Sequence, residues 1–128
     1  MTASKNFRKF TTSEGQLVLA GKSAEQNEQI IQQSEPDEFV LHTKAAGSPF
    51  CNIKGDASKQ DIKETAVFCA RYSKDWKQNQ KDVEVHVFKG KDIYKDKGMK
   101  TGTFGVKRHK TIIVKKEEIK RLIAREAK

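Results

Sequence analysis

The segment Gly15-Gln-Leu-Val-Leu-Ala-Gly21-Lys22-Ser23-Ala-Glu-Gln26-Asn27-Glu28 decides the fold class. Its first half, Gln16 to Ala20, reads as a short strand that Gly21 breaks. Ser23 is then a good N-cap, with Gln26 three residues on at the capping-box position. The helix predicted from there runs to about Gln33 and stops before Pro36, whose ring disfavours helical geometry at Glu35. A strand that feeds through a glycine into a capped helix leaves backbone N–H groups, and Lys22, at a helix N-terminus. That arrangement favours an anion.

Working outward, Phe7 to Thr11 predicts a strand joined to the first by the turn Thr12-Ser13-Glu14-Gly15. Phe39 to Thr43 and Phe50 to Lys54 predict two more strands around the loop Ala45-Ala-Gly47-Ser48-Pro49. Ser58 caps a second helix, with Asp61 at the box position. Ile62, Thr65, Ala66, Cys69, Tyr72, Ser73 and Trp76 share one stripe at helical spacing, which predicts an unbroken helix as far as Trp76. Val83, Val85 and Val87 alternate with Glu84, His86 and Phe88, a strand with one face buried. Short strands follow near Ile93, at Thr103–Val106 and at Thr111–Val114. A last helix begins near Lys115 on the stripe Ile119, Leu122, Ile123. Glu117 and Glu118 at its start and Arg121, Arg125 and Lys128 near its end complement the dipole, and Glu117 is placed to pair with Arg121. The expectation is a single α+β domain over 1–128, one mixed β-sheet packed with three helices.

Composition fits a folded domain with a heavily charged surface. Only 35% of residues are hydrophobic and 34% are charged, but the apolar ones fall in periodic runs, unlike those of a disordered chain. Cys51 and Cys69 lack the close spacing of a zinc site and are expected to be buried free thiols. The N-terminus has no apolar stretch of signal-peptide length, and no run approaches the roughly 20 apolar residues of a membrane span. A reducing cytoplasm is the simplest location, with no membrane partner. The net charge of +9 is uneven: Lys89–Lys116 holds ten basic residues and two acidic ones, Asp92 and Asp96, giving +8, and the other 16 basic and 15 acidic residues give +1. A patch this localised suits a polyanion such as RNA; the bland alternative is a solvated charged face.

Three segments are candidates for a site. In the first, Asn27 shares a helical face with Ala24 and Ile31 and points inward, either pinning a loop or touching a ligand. In the second, Asp37-Glu-Phe-Val-Leu-His42-Thr-Lys44-Ala-Ala-Gly47-Ser48-Pro49, His42 ends an apolar strand beside a Gly-Ser turn. It is either a satisfied structural histidine or a phosphate or sugar contact. Ser48 lacks the Gly-x-Ser-x-Gly elbow of a nucleophile. In the third, Lys95-Asp-Lys97-Gly98-Met-Lys100-Thr101-Gly102-Thr103-Phe104-Gly105-Val-Lys107-Arg108-His109-Lys110, two glycine turns expose amides among lysines and hydroxyls, donors that phosphate oxygens accept from. It contains no nucleotide-binding Gly-x-x-x-x-Gly-Lys-Thr loop. Trp76, in Tyr72-Ser-Lys-Asp-Trp-Lys77, is read as packing in preference to stacking on a base.

Together these segments resemble the NFACT-R domain, the RNA-binding part of the ribosome-quality-control factors known as NEMF in animals and RqcH in bacteria. That family's glycine, Arg-Asn-Ala and Gln-Asn-Asp signature is similar to Gly21-Lys22-Ser23-Ala24 and Gln26-Asn27-Glu28. Its Asp-x-Trp-Phe-His strand is similar to Asp37-Glu-Phe-Val-Leu-His42, its Pro-Gly-Ser-His turn to Ala46-Gly47-Ser48-Pro49, and its helix-ending Tyr-Ser to Tyr72-Ser73. A late Lys-x-Pro-Gly or Thr-Gly-Ser-Phe element is similar to Lys100-Thr101-Gly102-Thr103-Phe104. The resemblance runs in order from about Gly15 to Val114. Four departures from it stand out. Lys22 stands for an arginine and loses its planar fork. Val40-Leu41 replaces an aromatic pair, Pro49 a second histidine, and Thr101 a proline. The family's other domains have no counterpart here, so a stand-alone NFACT-R protein is expected.

The resemblance implies a non-enzymatic RNA-binding module that needs no cofactor or metal, with tRNA or rRNA as partner and the ribosome as a further candidate. Lys97, Lys100, Lys107, Arg108 and Lys110 would track phosphates, with Lys22 at the helix N-terminus. Asn27, His42, Ser48 and Thr101 would orient the strand or hold the loops that do so. One rival is a ribosome-associated protein-interaction module facing an acidic partner. The other is a metal-dependent nuclease built on Asp37 and Glu84, although the lysine expected two residues after the carboxylate is His86. Oligomeric state is left open.

Overall fold

In the computed structural model, which describes residues 6–127, the alternating valines Val83, Val85 and Val87 lie on a strand paired on both sides, second from one edge of the main sheet. Numbered along the chain, the strands are β1 (Arg8–Thr11), β2 (Leu17–Ala20), β3 (Phe39–Thr43), β4 (Cys51–Ile53), β5 (Val83–Lys89), β6 (Ile93–Tyr94), β7 (Gly105–Val106) and β8 (Lys110–Val114). The helices are α1 (Ala24–Gln33), α2 (Lys59–Arg71), α3 (Lys74–Asn79) and α4 (Lys116–Glu126). Six strands form one sheet in the order β1-β2-β4-β3-β5-β8, with every pairing antiparallel. β6 and β7 form a separate two-stranded ribbon. The chain is therefore a small α+β domain.

Both faces of the sheet are used. One carries Val18, Leu41, Ile53 and Val85 and is covered by α2 and α4 through Ala66, Phe68, Cys69, Ile119 and Leu122. The other carries Val40, Phe50 and Phe88 and is covered by Ile30 of α1, by Ile93 and Val106 of the ribbon, and by Phe104 just before β7. The prediction that β5 buries one face thus holds at its start but not at its end, where Phe88 is 5% exposed beneath the ribbon. Cys51 and Cys69 are buried free thiols, and burial, first among the causes, pushes the Cys51 thiol well up.

The stripe predicted as one helix is divided. α2 stops at Arg71, and the Ser73 hydroxyl accepts from Trp76 N at 3.1 Å, which restarts the chain as α3. Lys74 N donates to Gly47 O at 2.9 Å, tying the new helix to the loop after β3. Trp76 is 4% exposed and packs in the main core. A serine serves equally as helix interior or N-cap, so periodicity alone did not reveal the break.

The two caps differ by one methylene. Ser58 and Asp61 form the reciprocal box, at 3.0 and 2.9 Å. Ser23 likewise accepts from Gln26 N at 3.1 Å, but the longer Gln26 side chain reaches past the cap to Lys22 N at 2.9 Å. In α4 the expected Glu117–Arg121 pair is not formed among the described residues; Glu118 pairs with Lys63 of α2 at 3.0 Å instead. Lys128 lies outside the described residues.

Candidate functional site

Neither α1 nor the ribbon covers the second sheet face completely. Where β3 and β5 pair His42 with His86, the face is open and forms the floor of a cavity of about 930 Å³. Its walls come from Gly21 to Ala24 and Asn27, from Ala46 to Phe50, and from Thr101 to Phe104 with His109. The three segments singled out in the sequence, far apart along the chain, therefore meet at one place.

Hydrogen bonds hold these walls together. Asn27 Oδ1 accepts from Phe50 N at 3.0 Å while its Nδ2 donates to Ser48 O at 3.4 Å, which staples α1 to the turn before β4. A Cβ at Gly21 would collide with that same Asn27 oxygen, so only glycine lets the amide lie there. Ser48 is 6% exposed, and its hydroxyl accepts from Thr43 N at 3.0 Å, closing the loop after β3. Opposite, Glu28 accepts from Gly102 N at 2.7 Å and pairs with Lys95 at 3.2 Å, clamping the 95–104 loop to α1. Gly102 has φ of 81°, and a Cβ there would sit 2.9 Å from Ala24 Cα, so two constraints demand glycine.

The floor is aromatic. The His42 and Phe50 rings lie 4.3 Å apart, Phe104 stands at 90° to Phe50 with centroids 5.6 Å apart, and His86 stacks on His109 at 3.8 Å. All three histidines of the chain line the cavity. His42 Nδ1 donates to Thr43 O at 2.7 Å. Burial holds the His42 pKa below its ordinary value; the Thr43 carbonyl works the other way and the neighbouring His86 adds to the lowering. The ring is therefore neutral near pH 7, with Nε2 as an acceptor.

The rim is cationic. Arg8, Lys22, Lys44, Lys74 and Lys77 line the cavity, and no aspartate or glutamate does among its described lining residues. The Arg8 guanidinium lies 4.0 Å from the Tyr72 ring centroid, a stacking contact that fixes its position. Of the sequence-predicted residues, Lys22, Asn27, His42, Ser48 and Thr101 line the cavity; Lys97, Lys100, Lys107, Arg108 and Lys110 do not. All five are exposed; in sequence Lys100 adjoins Thr101, Lys107, Arg108 and Lys110 surround His109, and Lys97 lies four positions before Thr101. Arg108 pairs with Asp92 at 3.5 Å.

Four rim cations escaped sequence reasoning. Lys74 and Lys77 flank Trp76, and a helix break at Ser73 was the signal that would have turned them toward the cavity. Lys44 sits two residues after His42, at the same strand end. Nothing local marks Arg8. Asp37 and Glu84 are not brought together: they lie beyond opposite ends of the ladder running from Phe39–Lys89 to Thr43–Val85, on the order of 20 Å apart at about 3.3 Å per residue. Asp37 pairs with Lys91 and Glu84 with His86, and no group of three metal-ligating side chains forms among the described residues.

Comparison with known proteins agrees with this architecture. The sequence profile of the NFACT protein RNA binding domain matches residues 6–108. The chain is 34% identical over 91 residues to the archaeal Rqc2 homolog aRqcH of Methanocaldococcus jannaschii, an alignment covering 68% of this chain and 14% of that protein. The solved C-terminal part of the fibronectin/fibrinogen-binding protein of Streptococcus suis superposes with a TM-score of 0.80 at 22% identity. That superposition covers 94% of this chain and 50% of the solved one, a likeness of fold.

Proposed function

This chain belongs to the NFACT protein RNA binding domain family, and from that premise we propose that it binds structured RNA, tRNA or rRNA, across the cationic cavity without catalysing a reaction. One observation carries the reading: five cations from four separate places in the chain converge on a wall set that contains no carboxylate among its described residues. Phosphate oxygens take Lys and Arg as partners irrespective of base, so such a rim positions a backbone and does not read sequence. Lys22, Lys44, Lys74 and Lys77 would meet phosphates directly, with Lys97, Lys100, Lys107, Arg108 and Lys110 extending the contact along the outside. Asn27, Ser48 and Thr101 would hold the walls, and neutral His42 would offer an acceptor to a ribose hydroxyl.

The archaeal relative is an Rqc2 homolog, which supports a cytoplasmic place among the RNAs of ribosome-associated quality control, with the ribosome as host. The test is binding of purified protein to tRNA and to rRNA fragments at two salt concentrations. Tight binding that weakens steeply with salt is expected, because neutralised phosphates release counterions. A cellular association with ribosomes that survives ribonuclease treatment, together with no RNA affinity in vitro, would favour an acidic protein partner instead.

A further inference from the structure

A rim of lysines alone would serve any polyanion, duplex or single-stranded. The cavity beneath it is different in kind. Its floor is built from rings: His42 against Phe50, Phe104 edge-on to Phe50, and His86 stacked parallel on His109 with 17° between planes. His109 is the outer ring of that pair and is exposed. The volume of about 930 Å³ lies within the ~300–1,000 Å³ of sites that enclose small ligands.

A regular duplex has nothing to put there. Its bases are stacked inside and its surface toward a protein is phosphate and sugar, which would meet the rim and leave the rings uncovered. A planar group joined to a phosphate, with the base on the rings and the anion at the lysines, matches both layers at once. The polar surround is of the same kind: Thr101, Thr103 and Ser23 carry hydroxyls into the wall, and these satisfy base edges or sugar oxygens as readily as phosphate.

We propose that the cavity takes one unpaired nucleotide of the RNA, its base stacked on the imidazole and phenyl rings of the floor and its phosphate held by Lys22 and Lys44. The proposal rests on the RNA-binding reading above and narrows it to RNA that presents an unstacked residue, such as a bulge, loop or single-stranded end. The clamp from Glu28 to Gly102 then has a purpose. It keeps the Thr101–Phe104 wall closed against α1, so that the slot exists before the ligand arrives.

The test uses the full chain over a range of salt concentrations and two blunt-ended RNA hairpins closed by the same non-nucleotide linker, one perfectly paired and one differing only by a single bulged 2-aminopurine. The bulged hairpin is expected to bind about tenfold tighter, in line with the energy of stacking one base on an aromatic side chain. The 2-aminopurine fluorescence is expected to change on binding. His109→Ala, an exposed position outside both cores, should abolish the fluorescence change and most of the tenfold preference while leaving the salt dependence intact. Equal affinity for the two hairpins, with a steep salt dependence for both, would overturn the nucleotide slot and leave the phosphate-binding rim standing. Failure of both hairpins, and of tRNA, to bind would remove the RNA reading itself and this inference with it.

Discussion

Between Lys89 and Lys116 the chain carries ten basic residues, whereas the cavity draws five from four separate places: Arg8, Lys22, Lys44, and Lys74 with Lys77. In the first region four of the bases face acids, three of them brought from elsewhere and one, Asp92, from the region itself. Lys91 pairs with Asp37, Lys95 with Glu28, Arg108 with Asp92 and Lys115 with Asp82. In the second region none of the five is engaged in an ion pair among the described residues, and the wall has no acid. Exposed pairs such as Lys91–Asp37 are individually worth only about 0–1 kcal/mol, yet each lowers the local potential an approaching anion meets. Charge density along a sequence and charge available in space are different quantities, and here the sparser set is the less neutralised.

The largest expected effect concerns the element that brings two of those cations into place. Trp76→Ala truncates a buried aromatic and should cost about 3–5 kcal/mol of stability, read as a fall in Tm. Because α3 carries Lys74 and Lys77, RNA affinity should also fall at a temperature where the variant remains folded. A destabilised variant with unchanged affinity would show that α3 does not belong to the binding surface, and the contrast between the two regions would shrink.

Asn27→Ala comes next. It leaves Phe50 N and Ser48 O without their side-chain partners at the seam between α1 and the turn. A loss of about 1–3 kcal/mol is expected in stability, binding or both. Asn27→Asp keeps the acceptor for Phe50 N but places a carboxylate in a wall that has none. It should weaken RNA binding more than it lowers Tm. Equal RNA affinity for Asn27→Asp and wild type would argue that the acid-free wall has no bearing on the ligand.

Much of this was legible in the sequence and some was not, for identifiable reasons. Strand β3 at Phe39–Thr43, the caps at Ser23 and Ser58 and the stripe of α4 follow from local chemistry, and each was read correctly. The segments Gly21–Asn27, His42–Ser48 and Thr101–Phe104 were each marked in the sequence, but their convergence was not; the sheet order explains part of it, because β4 sits between β2 and β3 and so carries the turn at Ser48 to the end of β2. The pairing of His42 with His86 needs the β3–β5 register, which no local pattern contains. The separation of α2 from α3 turned on one hydroxyl, at a position where helical periodicity is unbroken; the resemblance of Tyr72-Ser73 to a helix-ending pair marked the stop, but not the restart at Lys74. The place of Arg8 depends on Tyr72, sixty-four positions later, whose ring it covers.

A smaller effect concerns pH. His42 has its pKa depressed by burial, so as pH falls below about 6.5 the unfolded chain takes up a proton more readily than the folded one. Its contribution to stability is full above that value and is lost as pH drops through the depressed folded pKa. Glu38 and Asp61 also titrate low. At Glu38 burial pushes upward and donation from Glu35 N, Lys54 and Gly55 N outweighs it; at Asp61 the backbone N–H of Ser58 leads. Their contributions are present above about pH 4 and are lost only in more acid solution, so they do not overlap the histidine window. Melting at pH 7.5 and 5.5 should show a drop in wild type that His42→Gln reduces. An identical drop in both proteins would mean that His42 is not the neutral, carbonyl-bound ring described.

The most direct test of the account compares the two cationic regions by salt. RNA affinity would be measured over a range of salt concentrations for wild type, for Lys22→Gln/Lys44→Gln/Lys74→Gln, and for the exchange of Lys97, Lys100, Lys107, Arg108 and Lys110 to Gln. Each phosphate contact contributes about 0.7–0.9 to the slope of log K against log salt. The three-residue variant should therefore flatten that slope by about 2–3, and the five-residue variant by less, although it removes more charge. A slope that collapses in the five-residue variant and is unchanged in the three-residue one would contradict the account.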